Sequence, residues 1–151
     1  MANEPENVTE PAPRDWISLL PHQPPMRLLE EVVSVDPGKE AVGSRLAKPE
    51  DFYFQGHFPQ DPIVPAIILV ELVAQVGGLA AGAPGLGEEP RPLQLRVAAI
   101  GPFKFPAAAR PGARLEASAR VAGSLGGLYK IEGTVTADGI VVAAGSLTLA
   151  G

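Results

Sequence analysis

The stretch "GHFPQDPIVPAIILVELVAQ", Gly56 to Gln75, decides the fold. It opens with a histidine in a loop punctuated by Pro59, Pro62 and Pro65. It then becomes a segment that is apolar on every side. Pro65 suits the first turn of a helix, and the helix is predicted to run to about Ala81, where "AGAPGLGEEPRP" ends it. A helix that is apolar all round has to be buried all round.

The rest of the chain supplies the cover. Upstream, "RDWISLL" is a short amphipathic turn of helix ending at Pro21. "RLLEEVVSVD" and "KEAVGSRLA" read as a strand pair joined by Pro37-Gly38. "KPEDFYFQGHFPQDP" is a structured loop. Downstream come four strand-like pieces, "LQLRVAAIGPFKF", "RLEASARVAG", "LYKIEGTVTAD" and "IVVAAGSLTLA". They are separated by Pro106–Gly112, Ser124–Gly127 and Asp138-Gly139, and Gly126-Gly127 and Asp138-Gly139 look like tight hairpin turns. The expected fold is α+β: one antiparallel sheet of about six strands curled around one long central helix. One sheet does not easily cover both sides of such a helix, so a second copy is a candidate for the missing cover.

Composition bounds the chemistry. The chain has 151 residues, 46% hydrophobic and 19% charged, enough for one domain with a real core. Residues 14–151 are read as that domain, and the acidic, Pro-rich residues 1–13 as a disordered tail rather than a signal peptide. With no cysteine, thiol catalysis and thiolate zinc sites are excluded, and two histidines make a histidine-rich metal site implausible. A membrane span over Ile63–Ala81 would put Glu71 near its centre, at a cost of roughly 2.5–3.5 kcal/mol; a soluble core helix and a cytoplasmic location are expected. The net charge is −5, which argues against a general nucleic-acid binder. Arg91, Arg96, Lys104, Arg110 and Arg114 nevertheless form a run without an acid. Charge pattern alone favours a solvated face, and the sharper reading is a docking strip for an acidic partner.

Glu71 and Gln75 are the polar side chains of the helix, four apart and hence on one face. A carboxyl among Ala, Gly, Val, Leu and Ile loses hydration, which favours its proton-carrying form and suits a general acid. The competing reading is a Glu that reaches solvent at a helix edge or bonds the backbone. Gln75 does not titrate, so its expected role is to orient or position. His57, between Gly56 and Phe58-Pro59, is the candidate base. The helix N-terminus at Ala66 offers unpaired N–H groups to a developing oxyanion. Base, acid and oxyanion site together suit proton abstraction beside a carbonyl with loss of a leaving group.

The same segment resembles the active-site signature of the 3-hydroxyacyl-acyl-carrier-protein dehydratases of type II fatty-acid synthesis. In that family a histidine follows Gly and precedes Phe-Pro, and a glutamate follows 14 positions later, as Glu71 follows His57 here. "LLPHQPPMRLLEEV" and "FKFPAAARPGARL" resemble flanking elements, so the likeness covers roughly residues 15 to 115. It implies a hotdog fold, a homodimer whose sheets join, sometimes a trimer of dimers, and no cofactor or metal. It implies an active site at the dimer interface, His57 of one chain facing Glu71 of the other. His57 would take the α-proton of a (3R)-3-hydroxyacyl thioester and Glu71 would protonate the departing hydroxyl, giving a trans-2-enoyl thioester. N–H groups near Gly56, His57 and Ala66 would polarise the carbonyl, and the basic run would meet an acidic acyl carrier protein. Two positions depart from the family: Ala66 stands where Gly is usual, and Gln23-Pro24 where Arg-Tyr is usual. His22, in that second element, is expected to be structural. The alternatives are a hotdog thioesterase and a non-catalytic acyl-binding relative.

Overall fold

The computed structural model describes residues 15–85, 87–89 and 93–151. The expected tail at residues 1–13 and Arg91 lie outside them. Strands β1 (Glu31–Asp36) and β2 (Glu40–Leu46) precede helix α1 (Ala66–Gly82). Strands β3 (Arg96–Lys104), β4 (Arg114–Leu125), β5 (Leu128–Ala137) and β6 (Ile140–Ala150) follow it. They form one six-stranded antiparallel sheet in the order β1-β2-β4-β5-β6-β3.

The turns follow from local chemistry. Gly38 adopts φ +83° and Lys39 N donates to Asp36 O at 2.9 Å, closing the β1–β2 turn. At both later hairpins the two central residues have positive φ: Gly126 and Gly127 at 58° and 83°, Asp138 and Gly139 at 49° and 88°. That geometry matches the right-handed twist of the flanking strands.

Burial alternates along the strands, as a sheet with one dry face requires. Leu115, Ala117 and Ala119 of β4 face α1, while Glu116, Ser118 and Arg120 face outward. Two glycines bring helix and sheet close together. A Cβ on Gly77 would stand 2.8 Å from Ile131 Cγ2, and one on Gly133 would overlap Val73. The far side of α1 is covered from within the chain. Leu93 packs on Gly82, the buried Leu28 donates its N–H to Gln75, and Leu19, Leu20 and Leu29 are buried in the same core. Most of the helix is thus buried without the second copy named as a candidate for its cover. What stays open is a stripe near the helix start, where Ile67 is 76% exposed and Val70 and Glu71 are half-buried.

Three strand boundaries move by two residues or more from expectation. β1 starts at Glu31 rather than Arg27, because Leu28 and Leu29 are drawn into the core and their N–H groups turn to Gln75. β3 starts at Arg96 rather than Leu93, whose N–H instead donates to Leu19 O at 2.9 Å. β4 continues to Leu125, past the Gly123 end that the sequence suggested.

Candidate active site

His57 sits in a loop held at several points. Gly56 takes φ +81°, a turn that a side-chain-bearing residue would strain to make. His57 N donates to Phe54 O at 3.1 Å, and Ile63 N returns to His57 O at 2.9 Å. Val64 N reaches Ala109 O at 2.8 Å, and Arg110 pairs with Asp61, so the segment before β4 braces the loop. The imidazole stacks on Phe58 with centroids 4.2 Å apart. Its Nδ1 lies 3.1 Å from Ile63 O. A carbonyl only accepts, so in the neutral ring Nδ1 carries the proton and Nε2 carries the free lone pair. The ring is half-buried, which leaves Nε2 the nitrogen for chemistry.

Glu71 lies in the second turn of α1, with a quarter of its side-chain surface exposed. It is at the edge of the core rather than enclosed by it. Its Oε2 accepts from Gln75 Nε2 at 2.9 Å, and His22 Nε2 approaches the same oxygen at 3.3 Å. Gln75 is 1% exposed, and its amide is fully used. Oε1 accepts from Leu28 N at 2.9 Å and Leu29 N at 3.4 Å, while Nε2 also donates to Met26 O at 2.8 Å. These contacts fix which end of the amide faces Glu71. Gln75 therefore orients Glu71 and touches no open space.

The oxyanion candidate is the start of α1. Pro65 precedes Ala66 and offers no side-chain cap. The first N–H groups of a helix have no acceptor within it, and Ala66 is exposed. Its N–H is available, with its methyl beside it.

A polar network joins the two halves. Arg45 donates through Nη1 to Leu28 O at 3.0 Å, and its Nη2 lies 3.0 Å from Asp51 Oδ1. Tyr53 Oη donates to Asp51 Oδ2 at 2.7 Å, and Lys48 N donates to it at 2.9 Å. Burial pushes the Asp51 carboxyl up, but Tyr53, Lys48 and Arg45 outweigh it and hold the carboxyl below its ordinary range. Burial, with the Asp51 acceptor, pushes the Tyr53 hydroxyl up. Leu28 is thus gripped by Gln75 on one side and by Arg45 on the other. Arg45 in turn anchors the turn that leads to His57.

The fold brings Glu71, Gln75 and His22 together. No hydrogen bond or ion pair joins His57 to Glu71 within one chain among the described residues. The basic run does not stay continuous. Arg110 pairs with Asp61, and Arg114 reaches Glu31 at 2.9 Å and Ser44 at 3.1 Å. Arg96 and Lys104 are exposed at opposite ends of β3 and make no ion pair among the described residues. They stand at the two ends of a nine-residue strand, about 26 Å apart. Sequence reasoning undervalued His22, since nothing local marks a loop residue as the neighbour of a helix 49 positions later. It missed the Arg45–Asp51–Tyr53 network for the same reason. Among the described residues no cluster of metal-ligating side chains occurs, and no helix is long and apolar enough to cross a membrane.

Residues 20–146 match a family model described as a FabA-like domain. The 3-hydroxyacyl-[acyl-carrier-protein] dehydratase FabZ of Roseiflexus castenholzii is 35% identical over 137 residues, 91% of this chain and 94% of that protein. The dehydratase FabZ of Bacillus subtilis is 33% identical over 132 residues, 87% of this chain and 92% of that one. In three dimensions the chain is similar to an HP0420 homologue from Helicobacter felis, with a TM-score of 0.65, 98% of this chain and 96% of that one covered, and 16% identity. That likeness speaks to the hotdog fold alone. Taken with the sequence matches over most of both partners, it leaves one assignment: the chain belongs to the FabA-like, FabZ-type family of 3-hydroxyacyl-[acyl-carrier-protein] dehydratases.

Proposed function

We propose that the protein reversibly dehydrates (3R)-3-hydroxyacyl thioesters held on an acyl carrier protein to trans-2-enoyl thioesters, with His57 as base and Glu71 as acid. His57 Nε2 takes the α-proton. The C2–C3 double bond forms as the C3 hydroxyl departs, and Glu71 supplies the proton that makes it water. The charge that develops on the thioester carbonyl oxygen falls to the N–H of Ala66, with Gly56 shaping the loop opposite. The imidazolium and carboxylate left behind exchange a proton through solvent before the next turnover. The observation that carries the reading is the occupation of His57 Nδ1 by Ile63 O, which leaves Nε2 as a bare lone pair.

The working unit in this reading is a homodimer, His57 of one chain facing Glu71 of the other. It is supported by apolar residues left open on the free edge strand and the helix start: Ile100 at 62%, Val97 at 38% and Ile67 at 76% exposure. Arg96 and Lys104 are the residues of the basic run proposed to meet the acidic carrier protein, with Arg110 and Arg114 already paired; Arg91 belongs to the same proposal. A single domain over 14–151 and a cytoplasmic setting complete the reading.

The test is turnover of a 3-hydroxyacyl thioester and, in reverse, of its 2-enoyl partner, followed by enoyl absorbance. Wild-type turnover should fall by about 10²–10⁴ in His57→Ala and in Glu71→Gln. Turnover that survives either change overturns that residue's role. Free thiol release without enoyl formation would instead favour a thioesterase.

A further inference from the structure

His22 has no part in the reaction above, yet it touches the acid. Its Nε2 lies 3.3 Å from Glu71 Oε2. The Gln75 Nε2 donor is on that same oxygen at 2.9 Å, and its identity as a donor is fixed by Leu28 N on the other end of the amide. His22 Nδ1 is buried, with no hydrogen-bond partner among the described residues. A proton on Nδ1 would be a buried donor without an acceptor, a costly arrangement. In the neutral ring the proton is therefore better placed on Nε2, whose 3.3 Å approach to Glu71 Oε2 is a close polar contact rather than a well-aligned hydrogen bond. Glu71 Oε1 has no partner among the described residues.

We propose that His22 is a positioning residue for Glu71: its Nε2 edge stands beside Oε2, the oxygen that already accepts from Gln75, so the transferable proton resides on Oε1. A proton on Oε2 would meet the Gln75 N–H and the nearby His22 ring, whereas on Oε1 it meets neither. The pair thus selects which carboxyl oxygen serves the leaving hydroxyl, and it turns that oxygen away from the clamp. The inference rests on the dehydratase reading.

The experiment compares wild type with His22→Phe, which keeps the ring's bulk, and His22→Gln, whose amide N–H reaches a similar place. In His22→Phe kcat should fall about tenfold at unchanged KM, the signature of an interaction realised in the transition state, with Tm held. His22→Gln should recover most of the loss. A His22→Phe enzyme with wild-type kcat overturns the proposal. So do equal losses in both variants with a lowered Tm, which would mark a scaffold role. Wild type inactive on every thioester fails the reaction reading instead. In that case the carboxyl carbon NMR signal of Glu71, assigned by its loss in Glu71→Gln, decides. Its displacement in His22→Phe supports the contact, and an unmoved signal overturns it.

Discussion

Replacing Gln75 by Leu removes an amide of similar size from a site that is 1% exposed. The loss falls mainly on Leu28 N–H, which donates to Gln75 Oε1 at 2.9 Å from a residue with 0% exposure. Leaving such a donor unpaired costs about 1–3 kcal/mol. Leu29 N–H, at 3.4 Å, adds less, and the carbonyl of Met26, on a residue 48% exposed, can turn to water. The gain from a less polar buried side chain offsets part of this. The expected net loss is about 2 kcal/mol, or a fall in Tm of about 4–8 °C at this chain length. Urea unfolding at a fixed protein concentration measures it, since self-association would shift apparent stability. Because Arg45 grips the carbonyl of the same Leu28, Gln75→Leu and Arg45→Met should combine non-additively. A loss below about 1 kcal/mol with an unchanged urea slope would refute the reasoning, because it would mean that Leu28 N–H has another acceptor.

Gly133→Val should destabilise by more than about 2 kcal/mol, since the new side chain meets Val73 and Ser118 O on a dry face; thermal melting checks it. Asp51 should make stability acid-sensitive. Its carboxyl is held below the ordinary 3.8, so its contribution is complete above that value and is lost as pH falls below it. Melts at about pH 5 and about pH 2.5 should show Asp51→Asn well below wild type at the first and the gap narrowed at the second. Arg96→Glu with Lys104→Glu should raise KM about tenfold for carrier-bound substrate, leave a short soluble thioester unchanged, and lose its effect at high salt.

Much of this was legible because period and punctuation are local. The alternation in "RLEASARV" and the Gly-Gly and Asp-Gly pairs specify β4 and its hairpins, and the unbroken apolar run after Pro65 specifies α1. The strand order was not legible, because β3 crosses to the far edge beside β6 and no local pattern states which neighbour it takes. The boundaries at Leu28 and Leu93 moved for a related reason: tertiary partners, Gln75 and Leu19, claimed their N–H groups. The site was half readable. His57 and Glu71 stand out as candidates because their spacing matches the family's motif, whereas the contacts of His22 and Arg45 exist only once the chain has folded.

The acceptor that fixes the tautomer of His57 is a main-chain carbonyl, and Ile63 answers it with its own N–H to His57 O. Every amino acid carries that carbonyl and all but proline carry the N–H, so position 63 is free to drift among the other side chains without altering which imidazole nitrogen is basic. Such a design separates heritable variation from chemistry: under the proposed reaction, residues around His57 can be traded to reshape its surroundings for new acyl groups, while the nitrogen proposed to take the proton stays the same.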